Sequence, residues 1–207
     1  MKKLGLILFT VLTISVLAFA LDGNGNGELN IFLGADISAN EKVKQQDRST
    51  VTENNAKKGF SLGAEWLYPV LYKVKIGAGG NYLFEREHMS IMPLYATVQV
   101  NPIEKAKGFF LKLNIGYDVY FNVDIPDSNY ALSIGDNLTI NQNGGFYWGI
   151  GAGYEFAFGI FAGLFYDAYA GSTDVELKNL ELGYDINRTV KYTYNTVSLK
   201  AGYKFQL

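Results

Sequence analysis

The sequence contains no cysteine. That absence excludes a disulfide-stapled scaffold, a thiolate metal site, a cysteine nucleophile and an anchor through a lipidated N-terminal cysteine. A single histidine, His88, makes a zinc site improbable on ligand count. Charge is scarce: 18% of residues are charged, against roughly 25% in an ordinary soluble domain. The 18 Lys+Arg and 20 Asp+Glu leave a net charge of −2, which argues against nucleic acid as a partner. No glycine-rich loop runs from a strand into a helix, so no nucleotide site is expected. Beyond residue 20 no apolar run reaches 18 residues, and no membrane-spanning helix is expected there. Proline is rare as well, with 4 residues against 23 glycines.

What is abundant is aromatic and small: 15 Tyr, 14 Phe, 2 Trp and the glycines, in a chain that is 48% apolar. This excludes general disorder. Residues 1–20 have the layout of a secretory signal peptide. Lys2 and Lys3 form the basic start, Leu4 to Leu17 is apolar, and Ala18-Phe19-Ala20 is the cleavage site. Residues 21–27 follow as a flexible polar linker, and 28–207 as one folded unit.

From Glu28 onward the hydrophobic period is two, which is the period of strands with unlike faces. Leu29, Ile31, Leu33, Ala35 and Ile37 alternate with Asn30, Phe32, Gly34, Asp36 and Ser38. At the other end Val197, Leu199, Ala201, Tyr203, Phe205 and Leu207 alternate with Ser198, Lys200, Gly202, Lys204 and Gln206. Six further segments lie at about 59–68, 73–85, 92–100, 108–122, 145–156 and 159–170. The connections 69–72, 101–107 and 157–158 are short. Those at 39–58, 123–144 and 171–191 are long and polar, and only 86–91 is short on that side. Short turns at one end and long loops at the other describe an all-β, eight-stranded antiparallel up-and-down transmembrane barrel.

Two features set the apolar face outward, towards lipid. The polar face carries Gly34, Gly63, Gly77, Gly79, Gly116, Gly149, Gly151, Gly153, Gly163 and Gly202, which suit a narrow interior and weaken a strand exposed to water. The apolar face is aromatic at both ends. Trp66, Tyr68, Tyr154, Phe156, Tyr203 and Phe205 mark the short-turn end. Phe60, Tyr82, Phe84, Tyr117, Phe121, Phe146 and Trp148 mark the other.

The run Gly144-Gly145-Phe146-Tyr147-Trp148-Gly149-Ile150-Gly151-Ala152-Gly153-Tyr154-Glu155-Phe156 resembles the glycine-rich strand of small outer-membrane barrels of the OmpA/OmpX type. The C-terminus, with Gly202, Tyr203, Phe205 and Leu207, is similar to the family's insertion signal, although many members end in Phe where this chain has Leu207. The resemblance implies a place in the bacterial cell outer membrane and handling by the barrel-assembly machinery. Membrane lipid and lipopolysaccharide would surround such a chain, and a monomer is expected. It says almost nothing about activity, because this fold hosts many functions.

On the inward face, Glu65, Lys75, Lys112, Glu155, Lys200 and Lys204 form a candidate lumen charge network towards the short-turn end, where buried charges must pair. Asp36, Glu85, Asp118 and Asp167 form a candidate acidic rim towards the outer end, without a basic partner on the same face. A loop cation (Lys57, Lys58, Arg86, Arg188 or Lys191), water or a divalent ion could balance it. No resident metal or cofactor is expected.

His88 and Ser90 match the His-x-Ser spacing of outer-membrane lipid A deacylases. No carboxylate stands at a matching place on the next strand to complete a catalytic set. The long loops hold Lys42, Lys44, Arg48, Lys57 and Lys58 in one, and Tyr130, Leu132, Ile134, Leu138 and Ile140 in another. The latter alternation suggests a hairpin projecting beyond the membrane. The expected function is a non-enzymatic surface protein that contributes to envelope integrity or binds external macromolecules. A small-solute or cation pore and a lipid A-modifying enzyme are the alternatives.

Overall fold

A computed structural model describes residues 27–44, 50–53, 56–86, 89–103, 108–123, 136–179 and 184–207. Nine strands follow in chain order: β1 (Glu28–Lys44), β2 (Thr50–Glu53), β3 (Phe60–Leu71), β4 (Val74–Arg86), β5 (Met89–Val100), β6 (Phe109–Val123), β7 (Asp136–Glu155), β8 (Ile160–Asn179) and β9 (Tyr184–Gln206). Each pairs antiparallel with its neighbours in the order β2-β1-β3-β4-β5-β6-β7-β8-β9, and β1 also pairs with β9. The ring is therefore closed by eight strands, with β2 a short appendage on the upper part of β1. The signal peptide and residues 21–26 of the linker lie outside the described residues. Gly27, the last linker position, is tied in, because its carbonyl accepts the Leu207 N–H at 2.9 Å.

The alternation of burial is the reverse of a soluble barrel's. Ile31, Leu33, Leu62, Ile76, Leu111, Leu113, Ile115, Ile150, Leu164 and Leu199 all lie on the outer wall and are exposed. Asn30, Ser61, Asn81, Thr97, Gln99, Asn114 and Thr196 are buried inside. An apolar exterior around a hydrogen-bonded ring is the only sheet that lipid tolerates, because closure leaves no unpaired backbone edge.

The aromatic girdles appear as ring pairs, most of them between alternate residues of one strand and one, Trp148–Tyr166, between neighbouring strands. Trp66–Tyr68, Tyr154–Phe156 and Tyr203–Phe205 lie at the short-turn end, with ring centroids 5.8, 5.2 and 4.7 Å apart. Tyr82–Phe84 at 5.4 Å and Trp148–Tyr166 at 5.4 Å lie at the other. From Phe146 to Phe156, strand rise and tilt give a belt about 25 Å tall. The Phe121 side chain lies outside those described.

Two expectations are corrected. The stretch 171–191 is largely strand, not loop, and so is the described part of 123–144: β7 starts at Asp136, β8 runs to Asn179 and β9 restarts at Tyr184. One face of these extensions is buried, at Thr173, Val175, Tyr192 and Tyr194, and the other is polar, at Ser172, Asp174 and Lys191, so they lack the apolar outer face that marks the belt. The second correction concerns β1. A register shift between Asp36 and Ser38 inserts Ile37 as an extra residue, so that Ala39, not Ser38, is the next buried inward position.

Inward glycines face inward phenylalanines. A Cβ at Gly63 would meet the Phe32 ring, one at Gly151 the Phe165 ring and one at Gly153 the Phe110 ring. Gly202 lies against both Phe161 and Phe32. The four rings form one buried cluster. The glycines thus provide the volume into which these rings pack. Gly151→Val should destabilise the refolded barrel by about 1–3 kcal/mol through overpacking. Adding Phe165→Ala should recover part of that loss, as read from urea unfolding in lipid vesicles.

Candidate functional site

The lumen is filled in three levels. At the short-turn end Lys75 and Lys204 alternate with Glu28 and Glu155. Lys75 reaches Glu28 at 2.7 Å and Glu155 at 3.4 Å, and Lys204 reaches Glu155 at 2.9 Å and Glu28 at 3.7 Å. The Gln99 amide donates to Glu155 at 2.8 Å. These side chains come from β1, β4, β5, β7 and β9, so the ring of charge ties together strands that are not neighbours in the wall. Its members are mostly but not fully buried, which keeps their desolvation cost below that of the next level.

The middle level holds two buried ion pairs among aromatic rings. Lys112 on β6 pairs with Glu65 on β3 across the lumen, and the Asn30 amide donates to the same carboxylate at 3.0 Å. Lys200 on β9 pairs with Asp167 on β8 at 2.7 Å. Asp167 is 0% exposed, and it also accepts the Tyr147 hydroxyl at 2.7 Å and the Ser198 hydroxyl at 3.5 Å. Each ammonium also lies against two rings. Lys112 is 5.4 Å from the centre of Phe110 and 5.9 Å from Phe161, and Lys200 is 4.7 Å from Phe165 and 5.7 Å from Phe32. A desolvated ammonium over an aromatic face regains from the ring quadrupole a part of what it has lost in water contact, and the paired carboxylate supplies the rest. Between Lys112 and Lys200 lies a void of about 10 Å³, room for roughly one water.

The outer level is apolar and phenolic. Tyr95, Tyr147, Tyr169 and Tyr194 follow one another with centroids 5.4, 5.2 and 6.2 Å apart. Leu83, Met89, Ile91, Ala39 and Ala56 complete this plug.

The structure distributes the candidate charge network over two levels. Lys75, Glu155 and Lys204 share the lower ring with Glu28, which the sequence reading missed. The phase that makes Asn30 inward makes Glu28 inward too, so the signal was present at the first residue of the first strand. Glu65 and Lys112 pair one level higher, and Lys200 joins neither group, because its partner is Asp167. This removes Asp167 from the acidic rim, where it was expected to lack a cation: Lys200 lies opposite Gly163 in the β8–β9 register and Asp167 opposite Thr196, close enough for the long lysine to reach.

Nor do Asp36 and Asp118 converge. Asp36 accepts the Gly59 N–H at 3.0 Å, and Asp118 accepts the Ala170 N–H at 3.2 Å, beside the β7 bulge between Gly144 and Tyr147. Among the described residues no three His or acidic side chains gather to hold a metal ion. The Glu85 and Arg86 side chains and His88 lie outside the described residues. Lys57 meets the lumen wall through its backbone, its carbonyl accepting the Tyr194 hydroxyl at 2.9 Å. The C-terminal residues Tyr203, Phe205 and Leu207 are exposed on the outer wall, and Gly202 faces inward.

Chemically, this interior resists flow. A solute would have to separate two buried ion pairs, displace four phenylalanines and part the tyrosine plug. No protein-family model matches the sequence, and neither does any curated protein sequence. Among solved structures the chain is similar to the outer membrane protein AlkL in DMPC bilayers, with a TM-score of 0.50 and 14% identity over 89% of this chain and 92% of that one. It is also similar to the outer membrane protein OprG from Pseudomonas aeruginosa (TM-score 0.48, 13% identity, 88% and 97% covered). A third likeness is to Ail, the attachment invasion locus protein of Yersinia pestis (TM-score 0.42, 14% identity, 87% and 99% covered). The chain has the fold of the eight-stranded outer-membrane β-barrels.

Lys200→Met should leave Asp167 as an unpaired buried charge and cost about 3–5 kcal/mol of stability. The double variant Lys200→Met/Asp167→Asn should recover much of that loss. Urea titration of the refolded proteins, monitored by the heat-dependent shift in electrophoretic mobility, measures both.

Proposed function

We propose that this barrel is a closed, non-enzymatic protein of the bacterial outer membrane whose working surface is the sheet standing above the belt. The observation that carries the reading is the outward continuation of the strands. β7 and β8 stay paired from Gly144↔Gly171 to Asp136↔Asn179, and β8 and β9 from Gly171↔Tyr192 to Asn179↔Tyr184. β9 and β1 remain paired up to Lys44↔Lys191, and β2 adds on from Glu41↔Glu53 to Lys44↔Thr50. Ten residues of β8 beyond Tyr169 rise roughly 25 Å at ordinary strand rise and tilt. Asp174 braces this extension, accepting from Asn143 on β7 at 2.9 Å and from Thr189 on β9 at 2.7 Å.

A braced sheet raised clear of lipid, over a filled lumen, suits contact with external macromolecules or with the lipopolysaccharide around it. Elements of this kind on a rigid scaffold are where binding concentrates. On this reading the C-terminal residues Gly202, Tyr203, Phe205 and Leu207 are recognised by the barrel-assembly machinery, and the protein works as a monomer.

Planar-bilayer recordings of the folded mature chain should show no discrete conductance steps. Reproducible steps would replace this reading with a pore. Shortening the β8–β9 extension to a tight turn after Ala170 should leave the barrel folded and abolish binding of the chain to lipopolysaccharide-coated or host-matrix-coated surfaces. Unchanged binding would remove the crown from the function.

A further inference from the structure

The short turns carry the largest side chains where a soluble protein would carry small polar ones. In the β7–β8 turn Phe158 adopts φ 66°, ψ 17°, with Gly159 following at φ 82°. A bulky residue in the left-handed region is strained, and glycine or asparagine is the usual occupant. Among the described residues nothing covers the ring, which leaves Phe158 89% exposed. The β3–β4 turn likewise exposes large apolar side chains, with Tyr72, 92% exposed, at its tip beside Lys73, and Leu71 ending β3. Ile103, in the third short connection, is exposed as well.

These tips are continuous with a surface that already meets lipid. Phe158 extends the outward column of Tyr154 and Phe156, and Gly159 packs beside the Tyr203 ring. Leu71 and Tyr72 extend the column of Tyr68 and Val70. The Lys73 ammonium lies 5.8 Å from the centre of the Tyr72 ring, so a cation sits beside an aromatic body. That pairing matches a layer that is apolar on one side and phosphate-lined on the other.

We infer that the turns form an aromatic foot seated in the glycerol and phosphate layer of the inner-leaflet phospholipid, not in periplasmic water. Phe158 and Tyr72 are its anchors, and Lys73 meets lipid phosphate. The foot sets how deep the barrel sits, and it places the Glu28–Lys75–Glu155–Lys204 ring at headgroup level. It stands independently of what the outer crown binds.

The cysteine-free chain allows a direct test. Single variants Phe158→Cys and Tyr72→Cys would be spin-labelled in vesicles of phosphatidylethanolamine and phosphatidylglycerol. Leu199→Cys in the belt and Lys191→Cys on the crown serve as references. Collision with a water-soluble nickel chelate should be several-fold lower at 158 and 72 than at 191, and collision with oxygen should be intermediate between 191 and 199. Nickel accessibility equal to that at 191 overturns the proposal. Protection accompanied by dipolar broadening between labels also overturns it, because a second copy of the chain would then cover the foot.

Phe158→Asn supplies an independent readout. It keeps the left-handed turn with less strain, yet it should unfold at a lower urea concentration than the parent in these vesicles. An equal or higher midpoint would mean that lipid contributes nothing to holding Phe158.

Discussion

The pairing of β1 with β9 is the constraint on which the rest of the molecule depends. Sixteen aligned positions, from Glu28↔Gln206 to Lys44↔Lys191, close the ring and satisfy the backbone groups that lipid cannot. Closing eight strands fixes a narrow interior, and that width decides what each inward residue can be. A large ring requires a glycine to receive it, as Gly63 receives Phe32 and Gly151 receives Phe165. The glycines would weaken an isolated strand, yet here they permit close packing at the barrel axis.

The same narrowness governs the charges. Lysines and acids that would be solvated in a wide pore are held in a low-dielectric interior, so each needs a partner at its own height. Lys112–Glu65 and Lys200–Asp167 meet that need in the middle, and a four-membered ring meets it at the short-turn mouth. Such pairs contribute little net stability compared with apolar packing, but removing one partner is severe. Their evident effect is geometric: Lys112 to Glu65 and Lys75 to Glu155 join strands on different parts of the ring and hold it to one cross-section. Among the described residues, paired charges, phenylalanine rings and the tyrosine plug fill the lumen level by level.

The belt was legible because lipid and lumen impose opposite demands on successive residues. Ile31, Leu33 and Leu199 on one side and Asn30, Gly34 and Lys200 on the other alternate cleanly, and the girdle pairs Tyr154–Phe156 and Tyr203–Phe205 stand out in the bare sequence. Above the belt the outward face turns polar, at Ser172, Asp174 and Glu176, while Thr173 and Val175 stay buried, so the lipid-facing signal is lost and the last part of β8 reads as loop. The bulge at Ile37 was invisible for a related reason, since a single inserted residue changes phase without changing composition.

The sequence by itself determined the strands of the belt and which of their faces meets lipid, because these depend on period, residue size and aromatic placement along one chain. Only the tertiary structure decided who pairs with whom inside. Asp167 reads as an unpaired rim acid until β9 is laid against β8 and a long lysine reaches it. Glu28 gains its role only when β1, β4, β7 and β9 face one another across the lumen. Distances across a ring are set by closure and register, and neither is written in the local order of residues.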